Sequence, residues 1–144
     1  MIQRIQSIFL FLASGSLLSL FKIPFSNTNN AIGQLYADQQ FNIMDNQALM
    51  LLTVIGGLLS LVSIFLFRNR KIQLNVNYLF ALVCVGICGF SWWLYQSNLP
   101  NESETSVAMG IGLFMPIVSL ILSLLASYFI KKDDKLVESM DRLR

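Results

Sequence analysis

The 144-residue chain is 55% hydrophobic and 12% charged, with a mean hydropathy of +0.62, no histidine and two cysteines. Soluble domains carry about a quarter charged residues and somewhat under half apolar ones, so the composition argues against an ordinary cytosolic globule. Ten Lys/Arg against eight Asp/Glu leave a net charge of +2, too small for a nucleic-acid-binding surface, and two cysteines make neither a multi-disulfide scaffold nor a four-cysteine zinc site.

A hydrocarbon core about 30 Å thick takes roughly 20 apolar helical residues. Four windows reach or approach that length: 5–21, 48–67, 76–95 and 107–130. They cover more than half the chain and hold none of its ten basic or eight acidic residues. A charge at a span centre costs about 2.5–3.5 kcal/mol on insertion scales, whereas a soluble bundle needs charges on the outer face of each helix. The pattern predicts an all-α membrane protein, a bundle of four transmembrane helices forming one membrane domain over 1–144.

In the first window, Arg4 followed by Ile8-Phe9-Leu10-Phe11-Leu12 is similar to a secretory signal peptide. Ala13-Ser14-Gly15-Ser16 runs straight back into Leu17 and Leu18 without a clean cleavage pattern, so the segment reads as a retained span. The loop 22–47 opens on Lys22-Ile23-Pro24-Phe25, extended because proline disfavours helix at the residue before it. Ser26-Asn27-Thr28-Asn29-Asn30 reads as a polar turn cluster, while Leu35-Tyr36 and Phe41-Asn42-Ile43 permit a small β-hairpin. The second window carries Gly56, Gly57, Ser60 and Ser63, and the first carries Gly15 and Ser19. In the third, Cys84 and Cys88 stand four apart beside Gly86 and Gly89 and read as small packing residues. In the fourth, Ser119, Ser123 and Ser127 form an i, i+4, i+8 stripe with Gly112 and Pro116 leading into the same side. Such small residues let helix backbones approach, and Pro116 predicts a kink. The packing candidates are therefore Gly56, Ser60, Ser119, Ser123 and Ser127, against one another or against a different protein.

Nine of the ten cations lie before the first window, between the second and third (Arg68, Arg70, Lys71), or in the tail 131–144. By the positive-inside rule both termini and the 68–75 loop face the cytoplasm, and loops 22–47 and 96–106 face outward. Trp92, Trp93 and Tyr95 at the outer end and Tyr128 near the inner end suit an aromatic belt. In the tail, Leu136, Met140 and Leu143 recur at i, i+4, i+7, with Glu138 and Arg142 as a favourable pair. Residues 133–144 thus read as a short cytoplasmic amphipathic helix on the inner leaflet or a partner, or else as a solvated extension of the last span.

Chemistry is sparsely provided for. With no ionisable residue inside a window there is no proton relay or intramembrane carboxylate. The many serines have no histidine, and no lysine or acid shares their spans, to serve as base. Asp38, Asp45, Glu102 and Glu104 in the outer loops are scattered and read as solvated charge rather than a cation site.

The opening Met1-Ile2-Gln3-Arg4-Ile5-Gln6, the loop Arg68-Asn69-Arg70-Lys71-Ile72-Gln73 and the closing Lys131-Lys132-Asp133-Asp134-Lys135-Leu136-Val137 through Asp141-Arg142-Leu143-Arg144 recur together in one family. The chain resembles, over its whole length, this four-span membrane family of the Bacteroidota, designated only as a domain of unknown function. The resemblance implies a Gram-negative inner membrane and brings no activity, cofactor or catalytic residue. The expectation is a multi-pass protein of the bacterial inner membrane that is not an enzyme and binds no cofactor, metal, nucleic acid or evident small-molecule substrate. It would act as an accessory or structural subunit of a larger membrane complex, with protein export or insertion machinery as one host; a small transporter or channel, as a dimer, is the alternative. Its partners would be the lipid bilayer and other integral membrane proteins, met through Arg4, Arg68, Arg70, Lys71, Leu136, Met140, Arg142, Leu143 and Arg144.

Overall fold

Uninterrupted apolar sequence becomes helix, and asparagines set where two of the helices begin. The computed structural model describes residues 2–29, 38–98 and 107–141, with side chains for 5–29, 38–98 and 107–137. Four helices, α1 (Ile2–Leu18), α2 (Gln47–Phe65), α3 (Arg70–Ser97) and α4 (Met115–Asp141), are joined with three short strands, β1 (Ser26–Thr28), β2 (Gln40–Phe41) and β3 (Val107–Met109). The Asn46 Oδ1 accepts from the N–H groups of Ala48 and Leu49 at 3.0 and 3.3 Å, capping α2, and Asn69 caps α3 through Ile72 N–H. A 3-10 turn, Leu66–Arg68, and the cap residue Asn69 separate α2 from α3.

The helices pack as an up-down-up-down ring in which α1 and α3 each contact α2 and α4. Gln6 lies beside Phe129, Ser16 beside Ser119, Asn77 beside Ser123 and Ser63 beside Gln73, so each of these neighbouring pairs is antiparallel. The start of α1, the α2–α3 turn and the end of α4 therefore share one end of the bundle. The strands cap the other as one antiparallel sheet in the order β2-β1-β3, with Ser26 opposite both Phe41 and Met109.

Beneath the sheet, the rings of Phe25 and Phe41 meet at a tilt of 35° with centroids 5.0 Å apart and join Ile43, Leu17, Leu20, Leu94, Tyr95 and Leu113 in a single buried cluster. The α4 approach is tied down by Gly110 N–H to Phe25 O (2.8 Å) and Gly112 N–H to Pro24 O (3.1 Å). A Cβ would stand 2.6 Å from Pro24 O at Gly110 and 2.5 Å from it at Gly112, so only glycine admits this approach.

Several expectations are corrected by these contacts. The expected hairpin is a three-stranded sheet, and its central strand is Ser26–Thr28, read above as a turn. Phe41 lies in β2, while Leu35-Tyr36 lies outside the described residues. The window 107–130 begins with a strand: Val107–Met109 spend their backbone groups on β1, extended Gly110 breaks the run, and a 3-10 turn over Ile111–Phe114 leads into α4. Pro116 consequently sits in the first turn of α4, where its missing N–H breaks no helical bond, so the reason for expecting a kink falls away. In place of the loop 68–75, α3 starts at Arg70. The tail forms no separate helix; α4 continues unbroken to Asp141, and Arg142–Arg144 lie outside the described residues.

Polarity runs opposite to that of a soluble bundle. Ser60, Ser63, Gln73, Asn77, Ser119 and Ser123 are essentially fully buried, whereas Ile8, Phe11, Leu58, Leu82, Ile121 and Leu124 are more than half exposed. Gln47–Arg68, Arg70–Ser97 and Ile111–Val137 are each long and apolar enough to cross a membrane; Ile5–Phe21 is a shorter apolar helix.

Candidate functional site

Two features of the bundle can do chemical work: a polar seam between the helices and a cluster of cations at the end where the seam finishes. The seam exists because apolar helices offer few hydrogen-bond partners, so several buried polar side chains reach for a neighbouring helix, while Ser14 and Ser91 turn back to Phe11 O and Cys88 O of their own helices. Asn77 of α3 is its centre. The Asn77 Nδ2 donates to Ser123 O at 2.8 Å and Ser127 Oγ at 2.7 Å, and Oδ1 accepts from Ser123 Oγ at 3.1 Å. Around it, Ser60 Oγ donates to Leu10 O (2.8 Å), Gln6 Nε2 to Phe129 O (3.2 Å), and Ser63 Oγ to Gln73 O (3.4 Å), while Ser16 and Ser119 share a 2.7 Å hydroxyl bond. Within the bundle, buried Thr53 Oγ1 and Gln73 Oε1 have no hydrogen-bond partner among the described residues.

The serine stripe lies on one face, and that face is buried within the bundle together with Gly56, Gly57, Ser60 and Ser63. A Cβ at Gly56 would meet Leu17 Cδ2 at 2.7 Å. Gly15, Gly86 and Gly89, by contrast, are exposed, and a Cβ at any of them would meet nothing within 4 Å among the described residues. Cys84 and Cys88 are free thiols, the first buried. Trp92 and Trp93 face outward near the sheet end, but Tyr95 is buried and belongs to the core rather than to a belt.

At the opposite end Arg70 Nη1 donates to Asp133 O at 2.8 Å, and Nη2 stands 2.9 Å from Asp133 Oδ2. This second contact is ionic rather than an aligned hydrogen bond, since Oδ2 accepts none. Arg70 is 20% exposed and Asp133 13%; their pairing staples the first turn of α3 to α4 and largely spends the Arg70 charge. Arg68 and Lys71 remain exposed and line a cleft of about 390 Å³ with Asn69, Arg70, Asp134 and Val137. Leu136 and Val137 are exposed beside it. Of the other contact candidates, Arg4 lies on α1, but its side chain and that of Met140 lie outside those described, as do residues Arg142, Leu143 and Arg144 altogether.

In the outer loops Asp38 is exposed, and Asp45 accepts from Asn42 N–H in a reciprocal cap over the 3-10 turn Ile43–Asp45. Glu102 and Glu104 lie outside the described residues. Among the described residues, no three His, Cys, Asp or Glu come together to hold a metal ion. Counting charges alone misses Gln6, Gln73 and Asn77, which are uncharged and hide inside or at the edge of apolar runs; an amide within an otherwise apolar helix is the signal that finds them.

Outward apolar surface, inward polar side chains and three helices of spanning length fit a membrane protein. The chain belongs to the family described as Domain of unknown function (DUF4293), whose match covers residues 2–143. Neither the curated proteins nor the solved structures include one significantly similar to it.

Proposed function

We propose that the protein crosses the bacterial inner membrane four times, with both termini in the cytoplasm, and serves as a non-catalytic accessory subunit of a larger membrane complex. The observation that carries this reading is the closed polar seam: Asn77, Ser60, Gln6 and Ser123 spend their hydrogen bonds on neighbouring helices. A route for a solute needs polar groups free to exchange partners with it. With the interior so engaged, duty falls to surfaces.

Length supports α1 as the fourth span. Residues 5–18 of helix plus the 3-10 turn Ser19–Phe21 extend about 27 Å, close to a hydrocarbon core of about 30 Å. The excess of cations at the end shared by the chain termini supports a cytoplasmic placement of that end. Docking would use the cleft of Arg68 and Lys71 with the exposed Leu136 and Val137, and in sequence the tail residues Leu143 and Arg144; export or insertion machinery is one candidate host.

Extraction of a tagged copy in mild detergent, followed by identification of stoichiometric companions, tests the proposal. The complex should co-purify with the wild type and be lost from Leu136→Ser/Leu143→Ser, which should insert normally. Recovery of the bare protein alone from cells at native expression would refute the accessory role. A second reading, a small dimeric transporter or channel, draws on the unpartnered Thr53 Oγ1 and Gln73 Oε1 within the bundle. Solute or ion flux in reconstituted vesicles would favour it.

A further inference from the structure

Beyond the Arg68 cleft, the outward face of α4 carries a second group of cations. Among the described residues, Tyr128, Lys131, Lys132 and Lys135 line a crevice of about 280 Å³, and none of its described wall residues is a carboxylate. Their spacing, i, i+3, i+4 and i+7, places all four on one face of the helix, and all four are exposed, Tyr128 by 61%. Lys131 is held there: its Nζ stands 5.3 Å above the ring of Tyr78 on α3. The two acids in the same turn of α4 point elsewhere, Asp133 to Arg70 and Asp134 to the Arg68 cleft.

Below the lysines the same face is apolar. Ile117, Ile121, Leu124 and Leu125 are each 40% or more exposed. From Ile117 to Tyr128 the helix rises about 16 Å, close to half of a hydrocarbon core of about 30 Å. One face therefore offers an apolar track as long as a single leaflet is deep, ending in a phenol and three ammonium groups at headgroup height.

We propose that this face of α4 binds the phosphate headgroup of an anionic phospholipid, with an acyl chain lying along Ile117–Leu125. The phosphate meets Lys131, Lys132 and Lys135 as point charges with rotatable donors, and the Tyr128 hydroxyl adds a donor at the boundary. Free inorganic phosphate would satisfy the lysines but has nothing to lay on the apolar track, which is why the assignment is a lipid. The proposal rests on the membrane placement above and is independent of the accessory role.

The test reconstitutes the full chain in phosphatidylcholine vesicles and compares spin-labelled phosphatidylglycerol with spin-labelled phosphatidylcholine in the motionally restricted lipid shell. Wild type should prefer phosphatidylglycerol by about fivefold or more, the factor expected from one lysine near an anionic phosphate, and the preference should fall as salt rises. Lys131→Gln/Lys132→Gln/Lys135→Gln should lower it far more than Arg68→Gln/Lys71→Gln does, and the triple arginine replacement should keep it. Equal selectivity in wild type and the triple glutamine variant overturns the site, as does competition by millimolar inorganic phosphate. A restricted shell without phosphatidylglycerol preference overturns the site alone. Absence of any restricted lipid overturns the membrane placement with it.

Discussion

Replacing Asn77 by leucine, a side chain of similar size that can form none of its hydrogen bonds, probes the seam directly. The change deletes two donated bonds, to Ser123 O and Ser127 Oγ, and one accepted from Ser123 Oγ. Interhelical hydrogen bonds in membranes are worth about 0.6 kcal/mol on average and up to about 1.7, because the unfolded chain in lipid also finds partners. Three such bonds sum to about 2 kcal/mol. The Ser123 backbone acceptor keeps its place in the helix, and Ser123 Oγ retains a long 3.5 Å contact to Asn77 O, so the loss should not greatly exceed that figure. Equilibrium unfolding by sodium dodecyl sulfate in mixed micelles, followed by circular dichroism, measures the change. A double-mutant cycle of Asn77→Leu with Ser127→Ala should give a coupling of about 0.6 kcal/mol, one average bond. A destabilisation below about 0.5 kcal/mol, together with strict additivity in the cycle, would refute the claim that these side chains lock α3 to α4.

Glycines should separate into two groups. Gly112→Ala drives a Cβ into Pro24 O at 2.5 Å, a backbone atom that cannot rotate away, and should cost about 2 kcal/mol or more in the same assay. Gly86→Ala and Gly89→Ala meet open space and should be neutral or stabilising by up to about 1 kcal/mol through helix propensity. Asp133→Asn keeps the bond from Arg70 to the Asp133 carbonyl and should cost at most about 1 kcal/mol, diminishing in high salt, as a partly exposed ion pair does. Arg70→Gln removes both contacts and should cost more than Asp133→Asn; the reverse order would show that the staple lies elsewhere.

That the chain is mostly helical, with three helices long and apolar enough to cross a membrane, was legible because an unpaired charge in hydrocarbon is expensive, so long charge-free stretches advertise themselves by what they lack. That the serines share one face was legible, since spacing of four residues fixes a shared face, but which neighbour that face meets was not. Element ends were less legible. Val107-Ala108-Met109 is as apolar as any helix start, and only pairing with Thr28, Asn27 and Ser26, some 80 residues away in the chain, makes it a strand. The same non-local pairing turned the polar Ser26-Asn27-Thr28 into a central strand, against local preferences that favour a turn. Asn77 and Gln73 escaped because a search for charge does not weigh amides. Arg70 was grouped with Arg68 and Lys71 by sequence, yet the helical phase of α3 aims it at Asp133, sixty-three residues on.

Substituted-cysteine labelling in intact cells tests the four-span arrangement most directly. In a background with Cys84→Ser and Cys88→Ser, single cysteines at Gln3, Asn29, Asn69, Ser97 and Val137 are exposed to a membrane-impermeant maleimide. Asn29→Cys and Ser97→Cys should label from outside, and Gln3→Cys, Asn69→Cys and Val137→Cys only after permeabilisation. Labelling of Gln3→Cys together with Asn29→Cys in intact cells would show that α1 does not cross, and the account of a four-span bundle with both termini inside would be wrong.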